Sequence, residues 1–398
     1  MKKLYVLAPN DRFNYGDLLF SHILKQYFSG FFDKVIFCST VKSDFSLLGG
    51  IPTESYSVLY EANRCDENYL IIAGGESLFV SWRAILSYID SNIKTRKMFP
   101  NSRILSSLAW RLQSVYMRLK YRPHTLYPYT IGKFELPGFK CVVYNSVGNC
   151  KLFDDKHLME NKMAKKIVDD NDYLAVRDEL THTALNKMGV ENSLVADSAI
   201  LMSKCFSESF LESSLSLDKQ KYSKQEYIYF QLGKAYLNGR EKEYAVMLDN
   251  IGKKYKLKIC LGVIATAIDH EDHIALANIA KHLNPDSYLF YKSPNLWDIM
   301  WLIKNSKLYV GTSLHGAITA MSFGVPICAH GPKKLERYLI DWGGTIGQMS
   351  FVDEKSLEQS MCAQLDCPQI VDASKQFCSI NQSFDKIKSL VSNKNWTR

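Results

Sequence analysis

Long apolar runs are missing from this sequence. No stretch approaches the roughly 20 consecutive apolar residues of a bilayer-spanning helix, so no transmembrane segment is expected. Lys2 and Lys3 precede an apolar run too short for a signal peptide, and no cleavage site follows it. None of the ten cysteines stands in a CxxC pair, which leaves a zinc ribbon or a dithiol redox motif without support. Several, Cys141 and Cys260 among them, sit in apolar strand-like runs and read as reduced core residues, which suits a cytoplasmic location. Short internal repeats and low-complexity tracts are also missing. Acid is almost missing from one segment: between Arg83 and His124 the bases Arg83, Lys94, Arg96, Lys97, Arg103, Arg111, Arg118, Lys120 and Arg122 face Asp90 alone. Nine bases less one acid make +8, which equals the net charge of the whole chain, so the basicity is local.

What is present is the composition of a globular protein, 46% hydrophobic and 23% charged, in 398 residues, enough for two domains. Strand and helix patterns alternate. KKLYVLAP, KVIFCST, ENYLIIAGG and KCVVYNSVG read as strands; GDLLFSHILKQYFS, FDDKHLMENKMAKKIVDD and the stretch after YLAVRD read as helical. Residues 203–225 are rich in Ser and Lys and read as a linker, after which the alternation restarts with EYIYFQLG. The expected fold is α/β, two Rossmann-like doubly wound domains facing a cleft. The first covers 1–205, with a basic helical insertion at about 83–124, and the second covers 206–398.

Four loops share one pattern of apolar strand, small polar turn and helix. In APNDRFNYGDLLF, Asn14, Gly16 and Asp17 precede a helix whose N-terminus suits an anion, or they simply cap it. In IIAGGESLF, Gly74 and Gly75 let backbone approach a ligand and Glu76 can contact a hydroxyl, or the pair only makes a tight turn. In YLAVRDELTHTAL, Arg177 offers a planar fork for carboxylate or phosphate, or it pairs with Asp178 on a surface helix. In KLYVGTSLHGAITAMSFGVP, Gly311 permits the turn, Thr312 or Ser313 caps, and His315 lies in the first helical turn on the polar flank, at the end of a strand. There it is a candidate acid–base group, although a lone histidine is more often structural. Beyond the next strand, Lys333, Lys334 and Arg337 either clamp an acidic group or face solvent. The run Asp269 to His273, DHEDH, has metal-ligand residue types, but acids at a helix start ordinarily serve capping and the dipole, so no metal is expected.

In order and spacing, NYGD, IIAGGE, YLAVRDELTHTALNKMGV, VADSAIL and VGTSLHGAITAMSFGVP resemble the polysaccharide pyruvyl transferase family, over most of residues 5–340. The resemblance implies a GT-B-like pair of domains with the site between them. It also implies transfer of pyruvate from phosphoenolpyruvate, a co-substrate with no further cofactor, onto two hydroxyls of one sugar as a cyclic ketal. The implied acceptor is a capsule or exopolysaccharide precursor, an undecaprenyl-linked glycan. His315 is then the acid and base in turn, and Arg177 the anion clamp. One position departs: family members commonly read Arg-Leu-His-Gly where this chain has Ser313-Leu314-His315-Gly316, so the cation must come from elsewhere, with Lys333, Lys334 and Arg337 the candidates. Two other functions remain open, glycosyl transfer from a nucleotide sugar and non-catalytic glycan binding.

The basic segment lies outside the matched motifs. Its centre places Ile104, Leu108, Leu112, Val115 and Leu119 at helical spacing, with Trp110 and Tyr116 nearby and arginines at intervals. Such a helix suits the surface of an anionic inner leaflet, or it packs on the core with its arginines solvated. No nucleic-acid-binding motif accompanies the charge, and no nucleic-acid partner is expected.

Overall fold

Strands buried on both faces need no polar alternation, and the apolar runs of this chain form two parallel sheets of that kind. The computed structural model describes residues 1–94, 99, 101–268 and 270–392. The first sheet contains β1 (Lys2–Leu7), β2 (Lys34–Ser39), β3 (Glu54–Ser55), β4 (Glu67–Ala73), β5 (Phe139–Val147), β6 (Tyr173–Val176) and β7 (Ser193–Leu194), in the order β3-β2-β1-β4-β5-β6-β7. The second contains β8 (Tyr227–Gln231), β9 (Lys258–Gly262), β10 (Tyr288–Tyr291), β11 (Leu308–Gly311) and β12 (Ile327–Ala329), in the order β10-β9-β8-β11-β12. Every pairing is parallel; Val6 stands opposite Phe37 and Ile71, and Val310 opposite Phe230 and Cys328. Strand order reverses beside β1 in one sheet and beside β8 in the other. Both sheets are therefore doubly wound, and the ends of β1, β4, β8 and β11 are where such folds open a crevice.

The helices fall largely where the periodicity puts them. Tyr15–Phe28 follows β1, and Leu314–Phe323 follows β11 and ends on Gly324, which adopts the left-handed φ of 69° that a helix stop of this kind requires. The segment 203–225 is not an irregular linker. It holds the short helices Met202–Cys205, Glu208–Ser214 and Lys219–Ser223; Ser207 and Asp218 accept cap bonds from Phe210 N (3.2 Å) and Gln220 N (3.0 Å), and Leu211 and Tyr222 are buried. FDDKHLMENKMAKKIVDD breaks in two because the Asn161 side chain caps a new helix, accepting from Met163 N (2.9 Å) and Ala164 N (3.1 Å). Leu296–Lys304 has no counterpart in the sequence reading. It is buried from Leu296 to Ile303, so it lacks the amphipathic stripe that would have announced it.

One apolar core is shared by both sheets, running from Leu4 and Phe20 to Tyr309 and Ile318. The last helix, Ser374–Ser392, crosses back to the first sheet rather than staying with the second half of the chain. Phe384 is fully buried there against Tyr27 and Phe28, with ring centroids 4.9 and 5.1 Å away, while the hydroxyl of Tyr173 donates to Ser383 Oγ (3.1 Å) and Ala196 N to Ser379 Oγ (3.3 Å). Among the described residues no helix is long and apolar enough to cross a membrane.

Because this helix closes the first domain, Phe384→Ala is expected to destabilise the protein by about 3–5 kcal/mol, the usual cost of emptying a buried phenylalanine site. Urea denaturation followed by circular dichroism measures it. A loss under about 1 kcal/mol would show that the helix is not part of that core.

Candidate active site between the two sheets

The helix Leu314–Phe323 brings both domains together around His315. Ser313 occupies its N-cap, the hydroxyl accepting from Gly316 N at 3.3 Å, and every residue from Leu314 to Ser322 is buried. The exposed polar flank expected for His315 does not exist, because the first domain covers that side. Tyr15, in the first helix of the chain, shares a 2.8 Å hydrogen bond with the Thr319 hydroxyl, which donates to the His315 carbonyl at 2.7 Å. The imidazole, 8% exposed, lies edge-on to Phe20 at 5.4 Å. It rests on Gly16: a Cβ there would stand 1.8 Å from His315 Nδ1. The glycine of NYGD is required by this contact rather than by the turn. Gly311 likewise makes room, since a Cβ would stand 2.6 Å from the Tyr309 hydroxyl.

Behind His315 lies a carboxylate that the sequence reading passed over. Asp197, fully buried after β7, uses Oδ1 to accept from Ala199 N at 2.9 Å, capping the turn Ser198–Leu201. Its Oδ2 takes a 2.7 Å bond from Arg177 Nη1 and faces His315 Nε2 at 3.5 Å, longer than an ordinary hydrogen bond. Burial alone would raise this carboxyl, but His315 and Arg177 hold it at about 2. With Nε2 turned to Asp197, Nδ1 is the ring nitrogen that lies over Gly16. Arg177 itself, 3% exposed, sits too deep for the open anion clamp the sequence suggested, and its acid is Asp197, not Asp178. Asp178 caps the following helix, accepting from Thr181 N at 2.8 Å.

The glycine pair forms the neighbouring layer. Gly74 has φ +113° and packs on Pro9, where a Cβ would stand 2.6 Å from the proline ring; a Cβ on Gly75 would touch Asp17 Oδ1 (3.6 Å) and Arg177 Nη1 (3.7 Å). Asp17 does not cap its helix but pairs with Arg12 at 3.2 Å, and Arg12 also holds Asp11 at 2.5 Å. Glu76 accepts from Cys150 N at 3.3 Å; burial opposes its charge, yet Lys334 and Arg177 keep its carboxyl below the ordinary value.

The cleft in front of His315 encloses about 180 Å³ and is lined from the first domain by Asn14 and from the second by Gln231, Tyr236, His270, Asp272, Thr312, Ser313 and Lys334. Loops from the ends of β1 and β9 meet there, with Asn14 bridged to Ala265 and Tyr15 N donating to Ile264 O at 3.2 Å. Thr312 ties β11 to β8: its amide donates to Gln231 Oε1 (3.0 Å) and its hydroxyl accepts from Gly233 N (3.0 Å). His270 is held down at about 4 by burial and by the fields of Lys334 and Arg12. Of the two lysines, Lys334 faces the cleft, whereas Lys333 is exposed and pairs across the domains with Asp154 at 3.8 Å.

DHEDH supplies cleft residues rather than a simple cap. Glu271 pairs with Lys234 at 2.8 Å, and Asp269 lies outside the described residues. Asp272 is 1% exposed, and its Oδ2 accepts from Ile264 N (3.1 Å) and Ala265 N (3.0 Å). Burial outweighs these bonds and lifts its carboxyl to about 7. Asn14, Thr312, Ser313, His315 and Lys334 thus line the cleft; Gly16, Asp17, Gly74, Gly75, Glu76 and Arg177 build the wall behind it. Asp197, Asp272, His270 and Arg12 were missed as site residues. VADSAIL, read only as part of the family resemblance, was the one signal for Asp197.

Two doubly wound domains with a site between their carboxyl edges define a GT-B-like α/β protein. The same architecture appears in the UDP complex of MnaA from S. aureus, at 12% identity, covering 99% of each chain with a TM-score of 0.58. It appears again in UDP-GlcNAc 2-epimerase from Methanocaldococcus jannaschii with UDP-GlcNAc and UDP, at 11% identity, covering 98% of this chain and 100% of that one, TM-score 0.55. Anabaena HepE in complex with UDP-glucose gives 12% identity, 98% and 100% coverage and 0.50. At such identities the likeness is one of fold. No curated protein matches the sequence. Residues 14–329 match polysaccharide pyruvyl transferase, and the chain belongs to that family.

Two outcomes follow from this geometry. Gly16→Ala is expected to push the imidazole off its seat and to lower turnover at least tenfold while the protein still folds; unchanged turnover would mean that His315 does not need this contact. A carboxyl whose folded pKa is raised favours folding below its unfolded value of 3.8, a contribution lost as pH climbs to about 7. The stability of the wild type relative to Asp272→Asn should therefore fall between about pH 4 and 7 and then level off, as read from melting curves. Parallel curves would place Asp272 outside that titration.

Proposed function

We propose that this protein transfers pyruvate from phosphoenolpyruvate onto a sugar of a polysaccharide precursor, closing a cyclic ketal, with a lipid-linked glycan of the undecaprenyl type as acceptor in capsule or exopolysaccharide synthesis. Family membership supports the reaction class. The observation that carries the donor is a backed histidine beside a cleft lysine: His315 at the wall, Asp197 and Arg177 behind it, and Lys334 in the cleft lining.

The chemistry divides among these residues. Phosphoenolpyruvate brings a carboxylate and a phosphate into a cleft where Lys334 supplies the charge that the family's arginine would have supplied at Ser313. His315 takes the proton of the first acceptor hydroxyl as its oxygen bonds to C2 of the donor. The imidazolium so formed faces Asp197, whose buried negative charge stabilises it, and delivers that proton to the methylene carbon within the same addition, as the π pair of the donor's C=C bond moves onto that carbon and makes the methyl group. The second hydroxyl bonds to the same carbon as the C–O bond to phosphate breaks, and its proton leaves with the phosphate. Atoms balance: donor and diol give ketal and inorganic phosphate. Arg177 is a positioning residue, holding Asp197 ionised and aimed.

His315→Ala should fold and lose at least about 10²-fold in phosphate release, the scale of a lost acid–base group. Lys334→Ala should raise the donor KM more than it lowers kcat. The donor itself is tested by melting shifts with phosphoenolpyruvate and, separately, with UDP-sugars. A shift with UDP-sugars and none with phosphoenolpyruvate would replace this reading by glycosyl transfer.

A further inference from the structure

The basic segment carries a surface the reaction does not use. Arg103–Tyr121 is a helix started by Ser102, whose hydroxyl accepts from Leu105 N at 3.3 Å. Its buried residues are Ser106, Gln113 and Met117. At about 100° per residue these lie within some 40° of one another, and the apolar stripe lies roughly opposite. That stripe, Ile104, Leu105, Leu108, Leu112, Val115 and Leu119, faces outward, with Ile104 83%, Leu112 63% and Leu119 74% exposed. A helix docked on its own core shows the reverse pattern.

Polar anchors hold this rotation. The Arg83 guanidinium lies 3.9 Å over Trp110 and donates to Gln113, to Ser114 Oγ (2.9 Å) and to the Trp110 carbonyl (3.2 Å). Asp90 Oδ2 accepts from the Tyr116 (2.9 Å) and Tyr121 (2.7 Å) hydroxyls and from Lys120 Nζ (2.9 Å). Trp110 and Tyr116 are thus turned to the protein, and the outer face is aliphatic. Arg111 and Arg118, both exposed, run along one flank of the stripe, and residues 91–134 contain no Asp or Glu at all. Arg96 and Lys97 lie outside the described residues.

We infer that this helix is a docking face for an anionic lipid surface. An exposed apolar stripe flanked by cations marks an interaction surface. A second copy of the chain would set Arg111 and Arg118 against the same cations of its partner, with no acid on the helix to answer them. Lipid headgroups answer the arginines and the acyl boundary answers the leucines. The basic segment also reaches the cleft: two residues before Asp90, the Tyr88 ring lies 6.3 Å from His270 and receives Arg12 at 5.2 Å. Docking here would hold the cleft rim near the bilayer, whatever the cleft transfers.

Sedimentation of the full chain with vesicles tests this. The protein should pellet with phosphatidylcholine containing about one-third phosphatidylglycerol, less as salt rises, and remain in solution with phosphatidylcholine alone. Leu108→Gln/Leu112→Gln and Arg111→Glu/Arg118→Glu should each weaken binding more than about tenfold with an unchanged melting temperature. Wild-type protein that stays in the supernatant at low ionic strength, or charge-reversed protein that binds as the wild type does, overturns the inference. So does a dimer in gel filtration that Leu112→Gln dissociates, which would make a second copy the occupant. None of these readouts depends on the donor, so turnover can fail independently.

Discussion

Asp197 is a carboxylate with no access to water, and that condition organises the molecule. A buried charge is tolerable only when paired and hydrogen-bonded, and the partners here come from both ends of the fold. Arg177 follows β6 of the first sheet; His315 opens the helix after β11 of the second. Neither domain alone supplies both partners, so the contact that relieves the buried charge also closes the interface. The arrangement that keeps Asp197 ionised is the one that seats an imidazole at the cleft wall.

Backbone space supports the same contact. The helix bearing His315 is covered on all sides, approaches Gly16 more closely than any side chain would allow, and is tied through Thr319 to Tyr15. An apolar core common to both sheets leaves little freedom for the domains to separate, and the last helix crosses the junction a further time. The cleft is thereby a preorganised space, its lining holding Lys334, His270 and Asp272 around His315. Polarity at its edge comes from loops at the carboxyl ends of strands, where parallel sheets leave backbone groups free.

The helix Arg103–Tyr121 runs against the usual economy of folding. Its polar side is inward because Arg83 and Asp90 offer it stronger partners than apolar contact would, and its leucines are left outside. Hydrophobic burial is not maximised within this chain, which is the condition for a surface that completes itself on something else.

Local rules were enough to read the two runs of alternating strand and helix, the stop at Gly324, and the cluster of polar residues at strand ends that includes Asn14, Thr312, Ser313 and His315, because strand burial, caps and left-handed stops depend on neighbours in the chain. Even the ordered motifs that mark the family are of this kind. Pairings between distant residues were not readable in that way. Arg177 stood beside Asp178 in the sequence and took Asp197 instead; Lys333 and Lys334, adjacent and alike, separated into a surface pair and a cleft cation. Asp272, read as a helix-end acid, became a buried carboxyl because the loop after β9 folds over it. The stripe of Leu108 and Leu112 is evident from spacing, but a helical period is the same whether it faces core or solvent. Only the partners waiting at Arg83 and Asp90 decided which way the helix turned, since rotation about its axis is set by contacts the helix does not contain.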